Sequence, residues 1–498
     1  MADQKYILGL DAGNTVIKAV LFDLHGRPLA TQAMGCTSTS PHPGHVERDL
    51  DELWRNAQSV IADCIAQAAV DAHDIIGLGC AGHGNGLYLV DREGAPIVGI
   101  QSLDTRAAET AADLSQKNGQ RLHKLCLQKP WPSQTPVLLS WVKHNRPEWY
   151  LRVGKALLCK DFLTFQLTGE LVSDITDMSG AGLTEMPTCA YSDELLALYG
   201  LEDAYQMLPK LIGPTDIAGT VTAKVAAATG LVAGTPVIGG FFDVVSSALG
   251  SGAVRAGDAS LIAGTWSINQ VFSKTPAQTE DIFMVTGIGA DRFLNLESSA
   301  TSAANLEWFV REFIEGTTAD QNPFDYCSDL ISDLPVSEDD PFFHPFLYGS
   351  GQGADFSAGF YGLRGWHTKA HMVRALLEGV VFEHRRHVDL LKAAGLPFLN
   401  PYLSGGGSRS AVWAQMFADC LGTKVTVAEA QETGALGAAI GVALATGVHP
   451  TFEAAVDAMT RPKATFTPVQ DATDRFEARY AKYAALTSAM RPIWARDP

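Results

Sequence analysis

A chain of 498 residues is longer than one hydrophobic core usually supports, which favours two large α/β domains. With 46% hydrophobic and 18% charged residues it is composed like a folded globular protein, which argues against disorder. Its 55 acidic against 37 basic residues give a formal net charge of −18, with no Lys/Arg cluster of the kind that tracks a phosphate backbone, so nucleic acid and anionic membrane are poor candidate partners.

The N-terminal run YILGLDAG is broken early by Asp11 and has no apolar region followed by a cleavage site. YILGLD reads as a strand, VIKAVLFD as a second, and HGRPLATQAM as a turn and a third. In DLDELWRNAQSVIADCIAQAAV, Leu53, Ala57, Val60, Ile61 and Cys64 recur at helical spacing behind an acidic first turn, and IIGLGCAG is then a strand ending in glycine. The eight cysteines form no CxxC or other zinc-ligand spacing and read as scattered reduced thiols, so a cytoplasmic protein is expected.

Further along, GTPVIGGFFDVVSSALGSG (residues 234–252) carries one carboxylate, Asp243, in an otherwise apolar and Gly-bounded run. An unpaired buried charge is costly. Asp243 is either a helix N-cap for VVSSALGSG or a carboxylate held at a strand-to-helix junction for chemistry. The domain boundary is placed here, dividing the chain into residues 1–249 and 250–498, with a ligand expected in the cleft between them.

The second half repeats the pattern of the first. GDASLIAGTWSINQVFS gives strand, turn, strand; HMVRALLEGVVFEHRRHVDLLKAAG is a long amphipathic helix; PYLSGGGSRSAVWAQMFADCLG is strand, glycine loop, helix; and KVTVAEAQETGALGAAIGVALATG repeats that order. GALGAAIGVALATGV is too short for a comfortable membrane span and suits a buried helix. LDAGNT (Asp11, Gly13, Asn14, Thr15) and AGTWS (Gly264, Thr265, Ser267) are small-residue turns between apolar strands, where backbone N–H groups and hydroxyls can approach phosphate oxygens. LSGGGSRS is a third loop, opening a helix whose N-terminus favours an anion or a flat ligand. Each loop alone reads equally well as an ordinary tight turn; together, at corresponding points of two halves, they point to a nucleotide held between two lobes. No GxxxxGK[ST] occurs, and a Rossmann reading fails because the first turn runs into a strand instead of a helix. Mg²⁺ favours one or two carboxylates with phosphate oxygens and water, and Asp11 and Asp243 are candidates for holding it.

These stretches resemble the FGGY carbohydrate kinases, within the actin and hexokinase ATPase-fold superfamily, and the resemblance runs over nearly the whole chain. LDAGNTVIKAVLFD is similar to the family's first phosphate motif, GDASLIAGTWSINQ to the second, and YLSGGGSRSAVWAQMFAD to the adenosine motif. ETGALGAAIGVALATG (Glu432, Gly434, Gly437) looks like the closing motif, and residues 358–379 resemble the C-terminal signature. The resemblance implies an α/β fold of two actin-like (ribonuclease H-like) ATPase domains around a central cleft, and a kinase using ATP and Mg²⁺. It implies Asp243 as the base on a sugar hydroxyl and Asp11 as the residue that positions Mg²⁺ through water, with Asp243 beside the metal. It further implies Gly13, Asn14, Thr15 and Lys18 in the first phosphate turn, Gly264 and Thr265 in the second, and Gly405, Gly406, Gly407 and Ser408 at the adenosine. His83 and Asn85 of AGHGNG and Asp104 and Arg106 of SLDTRA match the substrate loops. Read without the resemblance, Asp104 and Arg106 are equally an exposed ion pair, and His83 a packed or surface histidine. A homodimer is also what the resemblance suggests.

The departures from the family pattern fall at the sugar. Ser102 stands where many xylulose kinases have Trp, Val244 where many have Gln or Asn, Leu138 where a Lys is usual, and FLYGSGQGADF lacks a common Gly-Glu-Arg. The runs GGFFDVVSSAL, FLYGSGQG, SAGFYGL, HTKAHMVRALLEGVVFEH and NLEWF look closest to the L-xylulose (3-keto-L-gulonate) kinase branch. The expected acceptor is therefore L-xylulose or a related pentulose, phosphorylated on a terminal hydroxyl. D-xylulose, L-ribulose, erythritol and glycerol are the alternatives within the class, and a non-catalytic sugar sensor of the same fold is the alternative outside it.

Overall fold

A computed structural model describes residues 4–316, 321–353 and 356–495. The chain gathers into two compact units. The first takes the residues up to Ala256 with Phe272–Asn295 and Glu432–Arg461; the second takes Gly257–Val271, Leu296–Gln431 and the residues from Pro462 on.

In the first unit the strand Tyr6–Ala12 pairs antiparallel with Val16–Asp23, which pairs in turn with Pro28–Gly35. Both faces of the opening strand are covered, so Ile7, Leu8 and Leu10 are all fully buried, and it reads as an apolar run without alternation. The helix Leu50–Ala68 covers one face, and its start is set by Asp49, whose carboxylate accepts the Asp51 and Glu52 N–H groups at 2.8 and 3.0 Å. Its buried stripe is the predicted one with Leu50 added. The strand Ile75–Gly82 then returns parallel to Tyr6–Ala12. The sheet order is Ile217–Thr220, Pro236–Ile238, Ile75–Gly82, Tyr6–Ala12, Val16–Asp23, Pro28–Gly35, and the short strand Phe241–Phe242 also runs parallel beside Ile75–Gly82.

The small-residue run near the C-terminus is the buried helix its composition suggests. Thr433–Ala445 is buried from Gly434 to Val442 and beyond, and it lies so close to the opening strand that a Cβ on Gly9 would meet the Ala435 carbonyl oxygen at 2.2 Å. A second, antiparallel sheet in the order Glu47–Arg48, Pro96–Ile100, Leu87–Asp91, Val153–Leu157 carries the loops around residues 83–106.

The second unit repeats the opening of the first. Asp258–Ala263 pairs antiparallel with Ser267–Ser273 and parallel with Asn400–Ser404; Val425–Ala428 continues parallel, and Pro462–Phe466 closes the edge antiparallel. The helices Lys369–Ala393 and Ala411–Leu421 bury Leu376, Val380, Phe382 and Phe417 against Leu403 of the sheet. Burial of such side chains contributes ~1.5–3 kcal/mol each. All eight cysteines are free thiols. Among the described residues no helix is long and apolar enough to cross a membrane.

Candidate active site

Asp243 sits where the strand Phe241–Phe242 hands the chain to the helix Asp243–Ser251. The N-cap expectation is corrected by one position. Phe242 holds the cap, no side chain caps the helix there, and Asp243 is its first residue, with its carboxylate accepting the Val244 N–H. A carboxylate in a first turn is favoured by the helix dipole. Burial outweighs this, and with the neighbouring Asp11 carboxylate it raises the Asp243 pKa from 3.8 to about 8.

Asp11 lies on the strand Tyr6–Ala12, directly across the hairpin from Lys18 and beside Ala81 of Ile75–Gly82. Burial raises its pKa to about 6, with Lys18 pulling down and Glu432 pushing up. The Lys18 ammonium rests 2.7 Å from Glu432 Oε2, a pair 414 residues apart in the chain. Gly434 follows Glu432, and a Cβ there would stand 2.3 Å from Asp11 Oδ2, so only glycine lets this helix start against the carboxylate. Ser246 Oγ donates to the Gly434 carbonyl at 2.7 Å, joining the Asp243 helix to the same point. Asp11, Lys18, Asp243, Glu432 and Gly434 therefore form one constellation from three distant stretches.

The hairpin turn after Asp11 is held from beneath. Gly13 N–H donates to the Val16 carbonyl at 3.0 Å, the buried Arg48 guanidinium donates to the Gly13 carbonyl at 3.1 Å and also to the Asn14 carbonyl, and Gln101 Nε2 donates to the Asn14 carbonyl at 2.7 Å. Asn14 Nδ2 donates to Ser102 Oγ at 3.0 Å, which ties the loop that carries Asp104 and Arg106 to the turn. Thr15 is exposed at the tip.

Asp104 and Arg106 are more enclosed than an exposed ion pair would be. Asp104 is fully buried and accepts from Val46 N–H at 2.6 Å, Arg106 N–H at 2.8 Å, Arg106 Nε at 2.9 Å and Arg106 Nη2 at 2.8 Å. Arg106 also reaches Glu47 at 2.8 Å and lies over the Trp141 ring. His83 is buried with Nε2 2.8 Å from Tyr88 Oη and Nδ1 without a hydrogen-bond partner; burial, then Arg48, lowers its pKa to about 3, so it is neutral. Asn85, at φ 59°, presents Oδ1 to Thr135 N–H at 3.4 Å. Val244 is buried and offers no polar atom from its side chain.

In the second unit, Gly264 and Thr265 form the hairpin turn, with Thr265 exposed at the tip as Thr15 is in the first. Gly405 has φ +83° and its Cβ would meet the Ala263 carbonyl at 2.8 Å, so the glycine loop packs onto this turn. The loop does not open the following helix directly. It coils through a 3₁₀ turn, Gly406–Arg409, and Ser410 caps Ala411–Leu421 by accepting the Trp413 N–H. Ser408 Oγ is turned back onto the Gly405 carbonyl at 2.8 Å.

Sequence reasoning missed Arg48, Gln101 and the buried Lys160. Nothing in the run around Arg48 marks it. Lys160 did leave a signal: a Lys-Asp pair inside the apolar run ALLCKDFLTF asks for buried partners. Among the described residues no group of three or more His, Cys, Asp or Glu could hold a metal by itself. Two buried carboxylates with raised pKa values, one of them raised in part by the other, where Lys18 is already engaged by Glu432, still fit a divalent cation completed by phosphate oxygens and water.

Two α/β units built on the same strand-turn-strand opening, each with a glycine turn, define an actin-like ATPase fold. The chain belongs to the FGGY family of carbohydrate kinases, matching that family's N-terminal domain over residues 6–250 and its C-terminal domain over residues 259–446. It is a carbohydrate kinase. It is 34% identical over 497 residues to the L-xylulose/3-keto-L-gulonate kinase of Escherichia coli (strain K12), covering 99% of this chain and 98% of that one. It is 35% identical to a probable L-xylulose kinase of Pasteurella multocida (strain Pm70), over 98% of this chain and 99% of that one. The crystal structure of xylulose kinase from Rhodospirillum rubrum superposes with a TM-score of 0.90 at 26% identity, over 99% of this chain and 100% of that one.

Proposed function

We propose that the protein transfers the γ-phosphate of ATP to a terminal hydroxyl of L-xylulose or a closely related pentulose, with Asp243 as the base. The observation that carries this reading is the Asp243 carboxyl at a strand-to-helix junction, beside Asp11 and with its pKa raised to about 8. A carboxylate of ordinary acidity is a poor acceptor for a hydroxyl proton; raised to about 8, the Asp243 carboxyl keeps its own proton in the ligand-free protein at pH 7 and would become an effective acceptor once a bound cation draws its pKa down toward neutrality. Phosphoryl transfer asks little covalent work of a protein; it asks for alignment, charge screening and exclusion of water.

Asp11 and Asp243 would hold Mg²⁺, which when bound supplies positive charge to the phosphates and brings the Asp243 pKa down. Asp243 takes the proton of the attacking hydroxyl. The first turn (Gly13, Asn14, Thr15, Lys18) would receive phosphate, kept in shape by Arg48 and Gln101. Gly264 and Thr265 would receive phosphate in the second unit, and Gly405, Gly406, Gly407 and Ser408 the adenosine. His83, whose Nδ1 has no partner, Asn85, Asp104 and Arg106 would line the sugar. Because Asp104 is saturated by Arg106 and two backbone N–H groups, its role toward sugar is to fix the loop and the guanidinium plane. Val244 removes one hydrogen-bond partner beside the base, and a site built on hydrogen bonds discriminates strongly by which hydroxyls it satisfies.

The experiment is ADP release with ATP and Mg²⁺ over L-xylulose, 3-keto-L-gulonate, D-xylulose, L-ribulose, erythritol and glycerol. L-Xylulose should give the highest kcat/KM. A higher value for erythritol or glycerol overturns the pentulose assignment, and no release above background with any of them overturns the kinase mechanism.

A further inference from the structure

A second charged cluster lies inside the first unit. Lys160, on the helix Cys159–Thr168, is fully buried, and its ammonium meets Asp161 Oδ1 at 2.6 Å, Asp174 Oδ1 at 2.8 Å and Asp177 Oδ2 at 3.1 Å, each carboxylate at most 1% exposed. One ammonium facing three carboxyls is an expensive arrangement to bury unless it has a use. The phosphate, sugar and metal roles proposed above do not draw on it.

The cluster leads to Asp243 by a short hydrogen-bonded path. Asp174 is the N-cap of the helix Ile175–Gly180 and accepts Thr176 N–H at 2.7 Å. The Thr176 hydroxyl donates to Asp174 as well, and its oxygen accepts the Phe242 N–H at 2.9 Å. Phe242 is the residue before Asp243. Its ring is clamped too: a Cβ on Gly84 would stand 2.4 Å from it and one on Gly180 3.1 Å, so two glycines make its slot. The Lys160 stem passes between Gly82 and Gly240, whose Cβ atoms would stand 3.0 Å and 3.3 Å from it, and Gly240 belongs to the same GGFFD run. Both the backbone and the ring of the residue preceding Asp243 are thus held.

We infer that Thr176, held by Asp174 where it faces Lys160, is a positioning residue that sets the direction of the Asp243 carboxyl. The inference rests on Asp243 being the base. Neither Lys160 nor Thr176 touches the substrate; the Lys160 ammonium faces Asp174 at 2.8 Å, and Asp174 accepts from the Thr176 hydroxyl, whose oxygen in turn takes the Phe242 N–H. Burial, and then the flanking carboxylates, push Asp177 well above the usual carboxylate range while Lys160 pulls it down. Small displacements of a reacting group cost large factors in rate, whereas substrate affinity made elsewhere is untouched.

The test compares Thr176→Val, Thr176→Ser and Asp243→Asn in the full-length enzyme, with steady-state kinetics for ATP and the best sugar of the panel. Thr176→Val should lower kcat about 10- to 100-fold with both KM values within about twofold, and Thr176→Ser should restore it. In an Asp243→Asn background Thr176→Val should cost nothing further, since it acts through that carboxyl; an equal loss in both backgrounds means a structural role only and overturns the inference. Wild-type kcat in Thr176→Val overturns it as well. If Thr176→Val does not fold, Asp174→Asn, which keeps the cap oxygen and loses the charge facing Lys160, is read by the same criteria. Near-normal turnover in Asp243→Asn itself refutes the base assignment and this inference together, whereas loss there with normal turnover in Thr176→Val refutes the positioning role alone.

Discussion

Replacing Asp243 with Asn should make the ligand-free protein more stable at neutral pH, while making it a poorer catalyst. Folding raises this carboxyl from 3.8 to about 8, first by burial and then by the Asp11 charge. Between those values the folded chain keeps a proton that the unfolded chain has released, so stability falls as pH rises through this window. At ~1.4 kcal/mol per pH unit, the interval from 3.8 to pH 7 sums to a ceiling of ~4 kcal/mol of destabilisation carried by Asp243 at pH 7. Asn keeps an oxygen for the Val244 N–H and has no charge to bury. The assay is thermal unfolding of both proteins from pH 4 to pH 8 without nucleotide, sugar or Mg²⁺. The Asn variant should match wild type near pH 4 and gain ~1–4 kcal/mol by pH 7, the gain growing steadily between. A variant no more stable than wild type at pH 7, or a gain independent of pH, refutes the claim that this carboxyl is held under strain.

Three further substitutions probe the parts around it. Gly434→Ala, whose Cβ would stand 2.3 Å from Asp11 Oδ2, should cost about 1–3 kcal/mol in stability and depress kcat, read by unfolding and ADP release. Gly405→Ala combines φ +83° with a 2.8 Å approach to the Ala263 carbonyl, so it should raise KM for ATP while leaving KM for sugar within about twofold. Asp49→Ala removes the cap of Leu50–Ala68 and should cost ~1 kcal/mol in unfolding with kcat unchanged, which separates general destabilisation from damage to the site.

The elements that local pattern dictates were legible in the sequence. The opening hairpin, the stripe Leu53, Ala57, Val60, Ile61 and Cys64, the strand Ile75–Gly82 and the buried helix Thr433–Ala445 each follow from spacing and composition within a dozen or so residues. What joins them was not. The Lys18 to Glu432 pair spans 414 residues and the Ser246 to Gly434 bond 188, and no periodicity connects such positions. Asp243 left two readings open because side-chain capping and a first-turn carboxylate look alike in one sequence; the structure puts the cap one residue earlier, at Phe242, whose N–H bonds Thr176 and whose ring lies against Gly84 and Gly180. Asp104 and Arg106 left two readings open, since exposure is decided by Trp141 and Val46, which pack on them from other elements.

The most direct test of the account is turnover in Asp243→Asn with saturating ATP, Mg²⁺ and L-xylulose, alongside ATP binding by titration calorimetry. The account predicts ATP affinity within about threefold of wild type and kcat lower by about 10²- to 10⁴-fold, the contribution of a positioned general base. Turnover within about twofold of wild type would remove Asp243 as the base and contradict the mechanism.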